Sequence, residues 1–273
     1  MSHILVPIDF SDNSINALEH GVSIANTLCC NIRLIHVKRK NADYNSSFDF
    51  DDFNEVIISG IEDNFDNLIS IYSKRINGSI DYKIREGRIY TEVCNQANYG
   101  DSEMIVMGTH GVSGFEERWA GSNAYRIVSN ATCPVITIRF NFPNREIKKI
   151  ILPIDTSKQA RHKVPYVAKL AQIFKAEVHV IDVRDDNKAS TLKKLDEYVQ
   201  LVLNFLQRRN IKFVRSSLKA KVLTDAIIEY ALINDADLIA VTSQPNDRSV
   251  NFWLGPYAQQ FVNHSPIPVI SFV

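Results

Sequence analysis

Net charge is the first thing this sequence lacks: 31 basic side chains balance 31 acidic ones over 273 residues. Coating nucleic acid or an anionic membrane requires a basic surface excess, so neither is expected as a main partner. No apolar run reaches the roughly 18 residues that span a bilayer. The opening MSHILVPIDF has no basic leader, and its apolar stretch halts at Pro7 and Asp9. A cytoplasmic location is the expectation. Cysteine is sparse: Cys29, Cys30, Cys94 and Cys133 form no CxxC pair. That argues against a zinc site or a disulfide framework and for four reduced, mostly buried thiols. Two phosphate-binding signatures are missing as well. There is no GxxxxGK[ST], and no GxGxxG follows the first apolar run. No GxSxG nucleophile elbow occurs.

What is present is a repeat. HILVPIDFS at 3–11 returns as KIILPIDTS at 149–157. DSEMIVMG at 101–108 returns as DADLIAVT at 235–242, and ATCPVITI at 131–138 as HSPIPVIS at 264–271. Three matches in the same order, far apart, indicate a duplicated domain, with units at 1–140 and 147–273 and a polar join, NFPNRE, at 141–146. Within the first unit short apolar runs alternate with helical spacing. Strands are expected at His3–Ile8, Ile32–Val37, Ile80–Glu86, Met104–Met107 and Val135–Arg139, with helices between them. In the second unit strands are expected near 149–154, 177–183, 211–217, 237–242 and 268–273, with a long helix at 188–209. Such alternation implies an α/β fold, mostly parallel, with helices on both faces of each sheet.

In doubly wound sheets, ligands sit outside the carboxyl ends of the strands, where strand order reverses. After the fourth strand of the first unit comes GTHGVSGFEERWAGSNAYRIV. It holds Gly108, Gly111, Gly114 and Gly121, four of only ten glycines in the chain. Glycines let a backbone approach a ligand closely, and amides at a helix N-terminus favour an anion. A polyphosphate suits such a loop; a glycine-shaped surface loop is the plainer alternative. Asp9, at a strand end, is suited equally to bonding nearby backbone amides. Val37 reads most simply as a core strand residue.

Gly108-x2-Gly111-x9-Gly121-Ser122 resembles the nucleotide-binding pattern G-x2-G-x9-G-[ST] of the universal stress protein (UspA-like) family. ILVPIDFS, MIVMGTHG and CPVITI look like that family too, and the resemblance covers the chain as two tandem copies. It implies two doubly wound domains, each a five-stranded parallel sheet of order 3-2-1-4-5, and ATP as ligand, with or without Mg²⁺. Carried over by motif, Gly108, Gly111, Gly121 and Ser122 would meet phosphates and ribose, and Asn123 would add an amide. Pro7, Ile8 and Asp9 would line the nucleoside pocket. Val37 would face adenine through its backbone, with Met107 and His110 flanking the loop. The resemblance also implies pairing through the fifth strands, either between the two halves or in a homodimer.

The second unit departs from the pattern. Thr242, Pro245 and Pro256 stand where Gly108, Gly111 and Ser122 stand, and only Gly255 survives. Proline has no amide to offer a phosphate, so this unit is expected to be a degenerate copy. Phe252, Trp253 and Tyr257 make its loop aromatic, suited to packing on its own domain or to meeting a partner. The expected role is regulatory ATP binding in a stress response, without catalysis. Slow ATP hydrolysis using His110, Glu116, Glu117 or Arg118, and a protein-interaction module indifferent to nucleotide, are the alternatives.

Overall fold

A computed structural model describes residues 2–38, 50–109, 122–157, 159–184, 189–220, 222–242 and 255–272. The first half runs β1 (His3–Pro7), α1 (Asp12–Leu28), β2 (Asn31–Lys38), α2 (Phe50–Tyr72), β3 (Ile80–Glu86), α3 (Ile89–Tyr99), β4 (Ser102–Gly108), α4 (Ser122–Asn130) and β5 (Val135–Ile138). The second runs β6 (Lys149–Ile154), α5 (Gln159–His162), α6 (Val164–Phe174), β7 (Glu177–Arg184), α7 (Ala189–Arg208), β8 (Phe213–Lys219), α8 (Leu223–Ile233), β9 (Leu238–Thr242), α9 (Gly255–His264) and β10 (Val269–Phe272). Each half has the order 3-2-1-4-5, and the two join in one ten-stranded sheet, β3-β2-β1-β4-β5-β10-β9-β6-β7-β8. Every pairing is parallel except the central one. There β5 and β10 run antiparallel, with Val135 opposite Ser271, Ile136 opposite Ile270 and Thr137 opposite Val269.

Alternation along each strand explains the layers. Ile4 and Val6 face one side with Met104, Val106, Ile150 and Leu152, in a core that spans both halves under α1, α2, α6 and α7. Leu5, Ile105 and Val135 face the other side, with α3 and α4. Ile151, Ile239 and Val269 do the same with α8 and α9. Strands buried on both faces read as continuous apolar runs. The helices mostly stop without glycine. Cys29, Lys175, Asn210 and Asp235 take left-handed backbone angles (φ 54°, 54°, 55° and 50°). The residue after each returns its amide to a carbonyl five positions back, for example Cys30 to Ala25 and Ile211 to Leu206, a Schellman ending.

The join is fastened on both sides. His20, buried in α1, donates through Nε2 to the Phe142 carbonyl at 3.2 Å. Asn144 donates to the Glu19 carbonyl and to Ser23 Oγ. Arg145 pairs with Asp235 at 2.8 Å and Asp237 at 2.6 Å. Asp237 in turn accepts the amides of Lys148 and Lys149 at the start of β6. All four cysteines are free, but only Cys30 is buried; Cys29 is exposed, and Cys94 and Cys133 are half-buried. Burial still pushes the Cys94 thiol up to about 11 and the Cys133 thiol up to about 12, which makes both poor nucleophiles at neutral pH.

Candidate functional site

The strand order reverses between β1 and β4 in the first half, and between β6 and β9 in the second. In open α/β sheets the place for a ligand is the crevice outside the carboxyl ends of the strands at such a reversal. In the first, β1 ends at Pro7, which pairs with Ile35. Ile8 is buried; its amide donates to the Ile35 carbonyl, and its own carbonyl accepts His36 Nδ1 at 2.8 Å. Asp9 then turns the chain. Its Oδ1 accepts the Ser11 amide at 3.1 Å and the Ser11 hydroxyl at 2.5 Å. Ser11 caps α1 by accepting the Ser14 amide. Phe10, between them, has φ 63°, an uncommon angle for an aromatic residue. Its ring stacks on His36 at 5.3 Å and meets Phe65 edge-on at 5.1 Å.

Gly108 closes β4. A Cβ there would lie 3.0 Å from the Asn13 carbonyl oxygen and 3.4 Å from the Asn13 Cβ. This glycine thus lets the first turn of α1 rest on the strand end, a packing role beyond the one its spacing suggested. Asn13 and Asn16 follow one turn apart on the same helix stripe. Asn13 Oδ1 and Asn16 Nδ2 are buried without hydrogen-bond partners among the described residues. Neither residue was singled out from sequence. The available signal was two amides placed one turn apart just inside a helix that borders the glycine loop.

Of the expected residues, Pro7, Ile8, Asp9 and Gly108 meet at this crevice. Val37 sits in β2 opposite Arg85, half-buried. Met107 is buried against Ile105 and Ala124 on the α3–α4 side, so its side chain belongs to the core. Asn123 is the second residue of α4. His110, Gly111 and Gly121 lie outside the described residues, as do the Ser122 side chain and the alternatives Glu116, Glu117 and Arg118. Phe252, Trp253 and Pro245 of the second loop lie outside them too. The Asp9 carboxylate serves the local turn, which is the plainer of its two readings.

The second crevice repeats the scaffold with different chemistry. Asp155 Oδ1 accepts the Ser157 amide at 2.7 Å, and Ser157 Oγ accepts the Ala160 amide at 3.1 Å. By strand register, Asp182 stands where His36 stands. It is fully buried and accepts from Arg184 at 2.8 Å, Ser217 at 2.6 Å and Arg215 at 3.2 Å. Burial alone would raise its carboxyl, but the hydrogen bonds from Arg184 and Ser217 and the adjacent guanidinium charges hold it below the ordinary value. A charged knot thus replaces the Phe10–His36 stack. Among the described residues no cluster of His, Cys, Asp and Glu is arranged to hold a metal ion.

The sequence model of the Universal stress protein family matches residues 1–139 and 146–271. A universal stress protein of Bacillus subtilis is 28% identical over 146 residues, covering 50% of this chain and 97% of that protein. Another, from Methanocaldococcus jannaschii, is 27% identical over 139 residues, covering 50% of this chain and 81% of its own length. Among solved structures, a universal stress protein from Archaeoglobus fulgidus superposes with a TM-score of 0.78 at 18% identity. That match covers 98% of this chain and 97% of the other, a likeness of fold.

Proposed function

The chain belongs to the universal stress protein family, and from that premise we propose that its first half binds ATP in a regulatory role without turnover. The glycine spacing Gly108-x2-Gly111-x9-Gly121-Ser122 supports a main-chain cradle for the phosphates. The observation that carries the reading is a pair of buried amide atoms, Asn13 Oδ1 and Asn16 Nδ2, without hydrogen-bond partners among the described residues, on the helix turn against Gly108. Buried polar atoms without partners are costly. A polar ligand in the crevice would relieve these two. Mg²⁺, where required, would be carried by the phosphates, since the described residues supply no ligand cluster. Among the described residues no helix is long and apolar enough to cross a membrane.

Isothermal titration of the full chain with ATP tests the reading. One site per chain is expected, lost on Gly121→Asp. No heat with the wild-type chain would overturn it. Release of phosphate at a steady multiple of enzyme concentration, abolished by Gly111→Ala, would instead establish turnover.

A further inference from the structure

The second half buries a cation where the first buries a methyl group. Lys163 is 2% exposed. By the spacing that carries Asp9 to Asp155, it stands where Ala17 stands in α1. It occupies the break between α5 and α6. Pro165, just inside α6, has no N–H for the Arg161 carbonyl, so an unbroken helix cannot pass through this point. Because α5 packs on β6 and β9, Lys163 is held near the carboxyl ends of those two strands. Asp155, just past β6, is the charge that acts on its ammonium. At the end of β9 stands Thr242, 4% exposed, its Oγ1 buried with no hydrogen-bond partner among the described residues. Alternation puts Thr242 on the same face as Leu238 and Ala240. Those two pack in one core with Val164, Val167 and Ala168 of α6.

Two donors thus share one face of one crevice. An ammonium has three N–H donors, and Asp155 reaches this one through charge. Asp155 Oδ1 moreover accepts the Ser157 amide. Burial lowers the Lys163 pKa to about 8, while Asp155 pulls it back up, so the group is still largely protonated at neutral pH. A buried ammonium and a hydroxyl with no partner among the described residues, on one face of the sheet, suit an oxyanion. We propose that the second-half crevice binds a single phosphate-sized oxyanion between the Lys163 ammonium and the Thr242 hydroxyl. Side-chain charge there takes over from the amides that Pro245 and Pro256 cannot supply, and the proposal does not depend on ATP binding in the first half.

Inorganic phosphate titrated calorimetrically into the full-length Gly121→Asp chain tests it, because that substitution is expected to disable the proposed first-half cradle. One site per chain is expected. Lys163→Met should weaken it at least tenfold and Thr242→Val several-fold, with circular dichroism unchanged. Thr242→Val is nearly isosteric and keeps the test valid should Lys163→Met misfold. No phosphate binding in the Gly121→Asp chain would overturn the proposal. So would binding that both substitutions leave unaltered.

Discussion

Hiding the Lys163 ammonium has a cost that depends on pH. Its folded-state pKa of about 8 lies below the ordinary value of 10.5, so the unfolded chain holds that proton more tightly. The penalty is complete below pH 8 and is released as pH climbs towards 10.5. At 1.36 kcal/mol per pKa unit, the full penalty is about 3 kcal/mol. Lys163→Met, close in length and uncharged, should therefore be more stable than the parent at pH 7 by up to ~3 kcal/mol. Its advantage should shrink towards pH 10, as read by urea denaturation at several pH values. A variant less stable at pH 7 would mean that attraction to the Asp155 charge outweighs desolvation. This residue was invisible in the sequence, where a lysine at helical spacing reads as a solvated side chain. Only the break imposed by Pro165 and the seat of α5 on β6 and β9 turn it inward.

At the scale of elements, the turn from β1 into α1 ties fold to site. Ser11 holds the Asp9 carboxylate with its amide and hydroxyl while capping the helix. Ser11→Ala should cost about 1 kcal/mol, the usual worth of an N-cap, seen in thermal unfolding. If the first crevice binds ATP, the same change should weaken binding, since Asn13 and Asn16 ride on the turn that Ser11 starts. Most elements were legible because the physics behind them is local. Runs such as Ile4-Leu5-Val6, buried on both faces, carry the strand signal without help from the rest of the chain. The third strand of the second half, expected near 211–217, lies at Phe213–Lys219. Ile211 is apolar because it closes the Schellman end of α7, its amide bonded to the Leu206 carbonyl, and not because it belongs to a strand. The site was half legible. Gly108 of the glycine pattern and the Pro-Ile-Asp turn both lie at the reversal between β1 and β4. The packing role of Gly108 and the amides of Asn13 and Asn16 depend on how closely α1 approaches β4, which no local pattern encodes.

Across the whole molecule, the fifth strands, expected to pair either within the chain or in a homodimer, lie against each other inside one sheet. The edges left to a second copy are β3 and β8. The strap at 141–146 supports this arrangement, and its contact with His20 is expected to weaken in acid. Burial lowers the His20 pKa, against the opposing pull of the Phe142 carbonyl and Glu19. A buried neutral histidine stabilises the fold fully above its ordinary pKa of 6.5, and that contribution is lost as pH falls below it. His20→Gln can keep a donor to Phe142 without a titrating ring. Its melting temperature should drop less than the parent's between pH 7.5 and 5; equal drops would remove His20 from the account. Because β5 and β10 run in opposite directions while all other neighbours run the same way, the two crevices open at opposite rims of the sheet. No single small molecule can reach both, and occupancy of one can be felt at the other only as a mechanical shift of the shared strands.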